Sequence, residues 1–194
     1  MKTTTFVSAA AAILLAGGAS AGTAVPVSNF HSVSIEGMGH ITFVHGDRQS
    51  VVLQSGDTTN TRIYVKNGDL VFKSCPQKGW FGGDSCPWGY RLDAVVTTPS
   101  LDAVEIDGSG KIDAQTGFPQ QARLDVEING SGAVDLTDIP AASSSVSING
   151  SGKVRLTAHD KLDVEIAGSG EVIYDGTPAV SQSILGSGVV KSAR

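Results

Sequence analysis

Val126-Glu127-Ile128-Asn129-Gly130-Ser131-Gly132-Ala133-Val134-Asp135-Leu136 is the stretch on which the reading of this chain turns. Apolar and polar residues alternate on both sides of a Gly-Ser-Gly. Val126, Ile128, Val134 and Leu136 therefore share one face of extended chain, the pattern of half-buried strands. The two glycines between them mark a corner, because glycine reaches positive φ without a Cβ clash and lets a neighbouring backbone approach closely.

The same unit recurs. Corners are expected at Gly108 and Gly110, Gly130 and Gly132, Gly150 and Gly152, Gly168 and Gly170, and Gly186 and Gly188, in steps of 22, 20, 18 and 18 residues. The flanking runs alternate in the same way, as in Val146/Ile148 before one corner and Val154/Leu156 after it. A degenerate copy from Val33 to Phe43 carries Gly37-Met38-Gly39. Short strands repeating at this period predict an all-β, single-domain β-solenoid, parallel β-helix-like, in which each coil buries its apolar face against the next. A β-sandwich of antiparallel hairpins is the alternative, although hairpin loops do not need one tripeptide five times. Val51-Leu53, Ile63-Val65, Leu70-Phe72 and Leu92-Val96 read as further strands, with a hairpin at Asn67-Gly68. No segment sustains a 3.6-residue period, so little helix is expected.

The first 21 residues read as a signal peptide. Met1-Lys2 gives a positive start, Phe6 to Gly18 is apolar and Ala-rich, and Ala19-Ser20-Ala21 supplies small residues for cleavage after Ala21. The apolar run is too short and too rich in Ala and Gly to suit a transmembrane anchor, and no cysteine lies near the cleavage site to carry a lipid. Residues 22–194 are expected to form one domain, exported to the periplasm, the cell surface or the medium. A formal net charge of −5 and the lack of a Lys/Arg cluster disfavour nucleic acid as a partner. In an exported chain Cys75 and Cys86 are expected to form a disulfide. Their spacing suits neither a redox Cys-x-x-Cys nor a zinc site.

Stacking the repeats in register predicts an acidic ladder on the solvent face. Glu105, Glu127 and Glu165 fall in one column with Ser147, and Asp125 and Asp163 lie two residues earlier. Close carboxylates repel and raise one another's pKa. A functional reading of the ladder is a Ca²⁺ site or a paired-carboxylate glycosidase site; the plainer one is a solvated face, which stacking generates automatically. Gly-Ser-Gly is not followed by the Lys-Ser/Thr of a phosphate loop, no Gly-x-Ser-x-Gly elbow exists for serine hydrolysis, and His159 has no evident partner. His31, His40 and His45 cluster in sequence and read as exposed polar positions rather than metal ligands. No cofactor is therefore expected beyond the calcium reading. Trp80, Phe81, Trp88 and Tyr90 gather around the Cys75–Cys86 insert, either as a plug over the core end or as a recognition loop.

The chain resembles the bacterial auto-transporter adhesin "head GIN" domain family over roughly residues 27–190. The resemblance rests on Phe30-His31-Ser32-Val33 and the strand pair after it, on Thr98-Pro99-Ser100-Leu101 leading into Val104 to Gly110, and on the successive Ile-Asn-Gly-Ser-Gly units. It implies a β-helical domain of the cell envelope without established catalytic residues; the Cys75–Cys86 insert departs from the pattern. Together these observations predict a non-enzymatic, adhesin-like module for a glycan or protein at the cell surface. A polysaccharide-active enzyme and a purely structural envelope protein are the alternatives.

Overall fold

Alternation around each Gly-Ser-Gly produces the strands it predicts. A computed structural model describes residues 22–75 and 86–193; the expected signal peptide lies outside the described residues. β1 (Thr23–Val25), β2 (Ser32–Gly37), β3 (His40–His45), β4 (Ser50–Ser55), β5 (Thr61–Lys66), β6 (Asp69–Ser74) and β7 (Asp93–Thr98) precede the first Gly-Ser-Gly copy. β8 (Ala103–Gly108), β9 (Lys111–Ala114), β10 (Gln121–Gly130), β11 (Ala133–Gly150), β12 (Lys153–Gly168), β13 (Glu171–Asp175), β14 (Ala179–Gly186) and β15 (Val189–Ser192) carry the copies. The protein is all-β, with no helix among the described residues.

Each copy pairs in parallel with the next. In the first row β2, β8, β10, the second half of β11, the second half of β12 and β14 lie side by side, so that Ile35, Ile106, Ile128, Ile148, Ile166 and Ile184 form one column. In the second row Ile41, Ile112, Val134, Val154, Val172 and Val190 do the same. The long strands β11 and β12 run through both rows, with register shifts between Leu136 and Ser143, and this joins all fifteen strands in one hydrogen-bonded sheet. The inner faces of the rows meet in a continuous apolar core. Parallel pairing between copies is not the arrangement of a hairpin sandwich, whose neighbouring strands run antiparallel.

The two glycines of a corner have different reasons to be there. Gly130 has φ +133°, and a Cβ on it would lie 2.3 Å from the carbonyl oxygen of Gly108 in the preceding copy. Gly132 has no such dihedral; a Cβ there would instead lie 2.8 Å from Cγ2 of Ile106, in the core column. The bare backbones then bond across the copies: the Ser131 amide donates to Gly108 O at 2.9 Å and the Ala133 amide to Gly110 O at 3.0 Å. The serine side chains at these corners are exposed, and it is the serine amides that bond to the neighbouring copy.

Segment 46–102 closes the N-terminal end. β6 extends the first row beside β2 and β7 extends the second beside β3, both parallel. β5 then pairs antiparallel to β6, β4 to β7 and β1 to β4. The β5–β6 turn is Asn67-Gly68 with φ +54° and +83°, as the type I′ hairpin requires.

Of the buried polar side chains among the described residues, one is left without a partner. Ser144 is buried between Leu124 and Leu162 on the flanking strands, and its hydroxyl has no hydrogen-bond partner. An unsatisfied buried hydroxyl costs roughly 1–3 kcal/mol. Ser144→Ala is therefore expected to raise stability by about 1 kcal/mol and the midpoint of thermal unfolding by about 3 °C; a lower midpoint would mean that the hydroxyl is satisfied.

Candidate functional site

The outward side chains of the first row form the most structured polar surface. Glu105 and Glu127 stand on adjacent strands, Ser34 precedes them, and Ser147, Glu165 and Ser183 follow in the same column. Ser147 thus separates Glu127 from Glu165, and the carboxylate ladder reduces to one adjacent pair. Asp125 and Asp163 occupy the neighbouring column with Ser145 between them. Each has a cation: Arg123 Nε lies 2.8 Å from Asp125, and Lys161 Nζ 2.5 Å from Asp163. The Asn129 side-chain amide donates to Glu127 at 2.9 Å.

Pairing β6 against β2 adds residues outside the repeat spacing. Asp69 accepts hydrogen bonds from Ser32 Oγ at 2.9 Å and Ser34 Oγ at 2.6 Å. Glu36 pairs with Lys73. Asp69, Glu105, Asp125 and Glu127 line an open groove of about 510 Å³. Asp69 and Glu105 also line a second hollow beneath Tyr64, which shares Glu36 and Asp107 with a third beside the Cys75–Cys86 bond. The three concavities form one track carrying six carboxylates, Glu36, Asp69, Glu105, Asp107, Asp125 and Glu127. Asp69 and Glu36 were not legible from the Gly-Ser-Gly spacing. Glu36 could have been found by aligning the degenerate copy, since it occupies the position of Asp107.

Electrostatics in the track centre on Glu105. Partial loss of hydration, and then the negative charges of Glu127, Asp69, Asp107 and Glu36, push its carboxyl above the usual range. A carboxyl whose pKa is raised by folding opposes the folded state once it ionises, so its penalty is absent at low pH and grows as pH rises through the unfolded and then the folded value. Glu105→Gln is therefore expected to raise the melting midpoint at pH 7 by a degree or two, with the difference vanishing below pH 4. An unchanged or lower midpoint at pH 7 would remove the repulsion account.

Elsewhere the chemistry disperses. His40 bonds to Asp113 and lies 3.6 Å from Asp93, His31 lies 4.0 Å from Asp102, and His45 packs edge-on against Phe118 with ring centroids 5.3 Å apart. The three histidines do not converge, and His159 is exposed. Among the described residues no group of three or more His, Cys, Asp or Glu side chains is placed to hold a metal ion.

Cys75 and Cys86 are disulfide-bonded. Trp80 and Phe81 lie outside the described residues. The two remaining aromatics take opposite roles: Tyr90 packs against the core with its hydroxyl bonded to Thr61 Oγ1, whereas Trp88 is fully exposed.

The fold is shared with a solved structure. A putative adhesin from Bacteroides fragilis NCTC 9343 aligns with 88% of this chain and 95% of its own at a TM-score of 0.52 and 17% identity. A putative adhesin from Parabacteroides distasonis ATCC 8503 aligns with 89% of this chain and 96% of its own at a TM-score of 0.44 and 16% identity. No curated protein sequence matches. The family model described as "putative auto-transporter adhesin, head GIN domain" matches residues 29–123 and 120–178. Spanning most of the strands described above, that match makes this chain a member of the auto-transporter adhesin, head GIN domain family.

Proposed function

We propose that the chain is an exported, non-enzymatic cell-surface module, a single-domain β-solenoid from residue 22 onward, that binds a glycan along the acidic track. The observation that carries this reading is that the three concavities share lining residues, which makes them a long open channel of mixed polar and apolar lining rather than one enclosed pocket. Carboxylates on adjacent strands, about 4.8 Å apart, are placed to accept hydrogen bonds from successive hydroxyls. Tyr64 beside the track and the exposed Trp88 offer rigid ring faces for sugar to pack on. Parallel pairing that keeps its register within each row supports the solenoid, and membership of an adhesin-named family supports surface location and binding.

Binding to a glycan array separates this reading from its rivals. Trp88→Ala and Glu127→Gln are each expected to weaken the strongest signal tenfold or more while leaving the β-type circular dichroism unchanged. Binding that survives both substitutions intact would rule out the track and the tryptophan together. A second reading is favoured by one observation: Glu105, with its raised pKa, stands beside Glu127, which is how an acid and a carboxylate divide their roles in glycoside hydrolysis. That reading predicts release of reducing ends from the bound glycan, abolished by Glu127→Gln.

A further inference from the structure

The two ends of the strand stack are finished differently. At the N-terminal end β5 lies across the first row with Arg62 and Lys66 on it, and the three-residue β1 covers β4. Charged residues and short strands blunt a sheet edge against further pairing. At the other end, among the described residues, β14 pairs only with β12 and β15 only with β13. β14 is eight residues long and residues 179–190 contain no charged side chain, whereas the four-residue β15 carries Lys191, so the contrast between the ends lies in β14. Its core-facing positions are half-covered: Val180 and Ile184 are 39% exposed, against 0% for Leu162 and 2% for Ile166 beside them in the preceding copy. Leu185 and Val189 add further exposed apolar surface.

From these features we infer that the terminal copy is a docking surface for a second copy of this chain, the two meeting end to end through β14 and β15. A two-fold axis across this end sets each edge strand antiparallel to an edge strand of the other copy. The contact is then isologous and closes at two, whereas a head-to-tail contact would propagate. Charge points to the same occupant. The chain is acidic overall, with a net charge of −5, yet it carries no charge over residues 179–190. Beside that stretch, Glu171 is held by Lys153 at 2.8 Å and Lys191 at 2.5 Å, and the two lysines lower its pKa to about 2. Two acidic molecules can therefore approach through this end without bringing unpaired like charges together. Size is compatible with a weak dimer: the eight residues of β14 span ~26 Å and the four of β15 ~13 Å, and at about 10 Å of width per row the footprint is ~400 Å² per copy. The total of ~800 Å² lies below the size of a standard stable interface, which places the dimer in a weak, concentration-dependent regime.

Sedimentation of the mature chain between about 1 and 200 µM tests this directly. The expected result is a weight-average mass that rises from one chain toward two, and that stays at one in Ile184→Lys and in Leu185→Lys. Leu185 is 78% exposed, so its substitution keeps the test valid if Ile184→Lys fails to fold. Loss of the dimer in either folded variant supports the end-to-end contact. A wild-type chain that stays monomeric throughout, a dimer that persists in both variants, or a series of larger species would each overturn it.

Discussion

Gly150→Val is expected to cost the chain roughly 5 kcal/mol of stability and to move its urea midpoint far below that of the wild type. Gly150 has φ +133°, and a Cβ on it would lie 2.2 Å from Gly130 O. No rotamer relieves that contact, because the backbone fixes the position of Cβ and its partner is a main-chain oxygen. Displacing the corner also breaks the bonds on both sides of it, Ser151 N–H to Gly130 O at 2.9 Å and Ser169 N–H to Gly150 O at 2.8 Å. Backbone strain of about 1–3 kcal/mol and two lost hydrogen bonds at about 1–3 kcal/mol each where the groups stay unsatisfied sum to roughly 5 kcal/mol. That is a large share of the ~5–15 kcal/mol by which a domain is stable. Urea unfolding followed by circular dichroism is the measurement. Ser151→Ala, one residue away and exposed, is expected to fall within about 0.5 kcal/mol of wild type. If Gly150→Val unfolds at the wild-type midpoint, the corners do not stack as described.

The second large effect concerns Ile128 and Gly152. Ile128 is fully buried, and Ile128→Ala is expected to cost about 3 kcal/mol from lost burial and the cavity left behind. A Cβ on Gly152 would lie 2.8 Å from Ile128 Cγ2 and 3.0 Å from its Cδ1, so Gly152→Ala alone overpacks the column at a cost of about 2 kcal/mol. The two substitutions are partly complementary in shape: the added methyl enters the space that Cγ2 and Cδ1 of the isoleucine vacate, while the Cβ of residue 128 stays 3.2 Å away. The double variant is therefore expected to lose about 4 kcal/mol rather than the sum of about 5 kcal/mol, a favourable coupling of about 1 kcal/mol in a double-mutant cycle. Strict additivity would show that the second glycine of the corner is not set by the isoleucine of the preceding copy.

That division of labour is where sequence reading stopped short. Strand, corner and register were all legible, because Val126/Ile128 alternation and Gly-Ser-Gly recur together and a fixed recurrence leaves few ways to stack. Both glycines carried the same corner signal, however, and only the neighbouring copy shows that Gly130 yields to a carbonyl and Gly132 to Ile106. The acidic column was legible as a register, with Glu105 beside Glu127. Its widening into a track was not, because Asp69 arrives through the β6–β2 pairing rather than through the repeat. Trp88 and Tyr90 looked alike two residues apart. Thr61, which holds the Tyr90 hydroxyl, is 29 residues away, and nothing local to the pair signals it.

The insertion of segment 46–102 between two copies that touch has a consequence for how the chain assembles. Thr42 donates to Asp113, 71 residues away, whereas the later copies find their neighbours at steps of 22, 20, 18 and 18 residues. Closing the longer loop costs about 1 kcal/mol more in chain entropy than closing one of ~20 residues. Contacts between near neighbours in sequence form fastest. The later copies can organise from local partners, whereas the pairings β3–β7, β2–β8 and β3–β9 are the slow, long-range events. Substitutions at those pairings should slow refolding, whereas equivalent ones between the later copies should mainly speed unfolding.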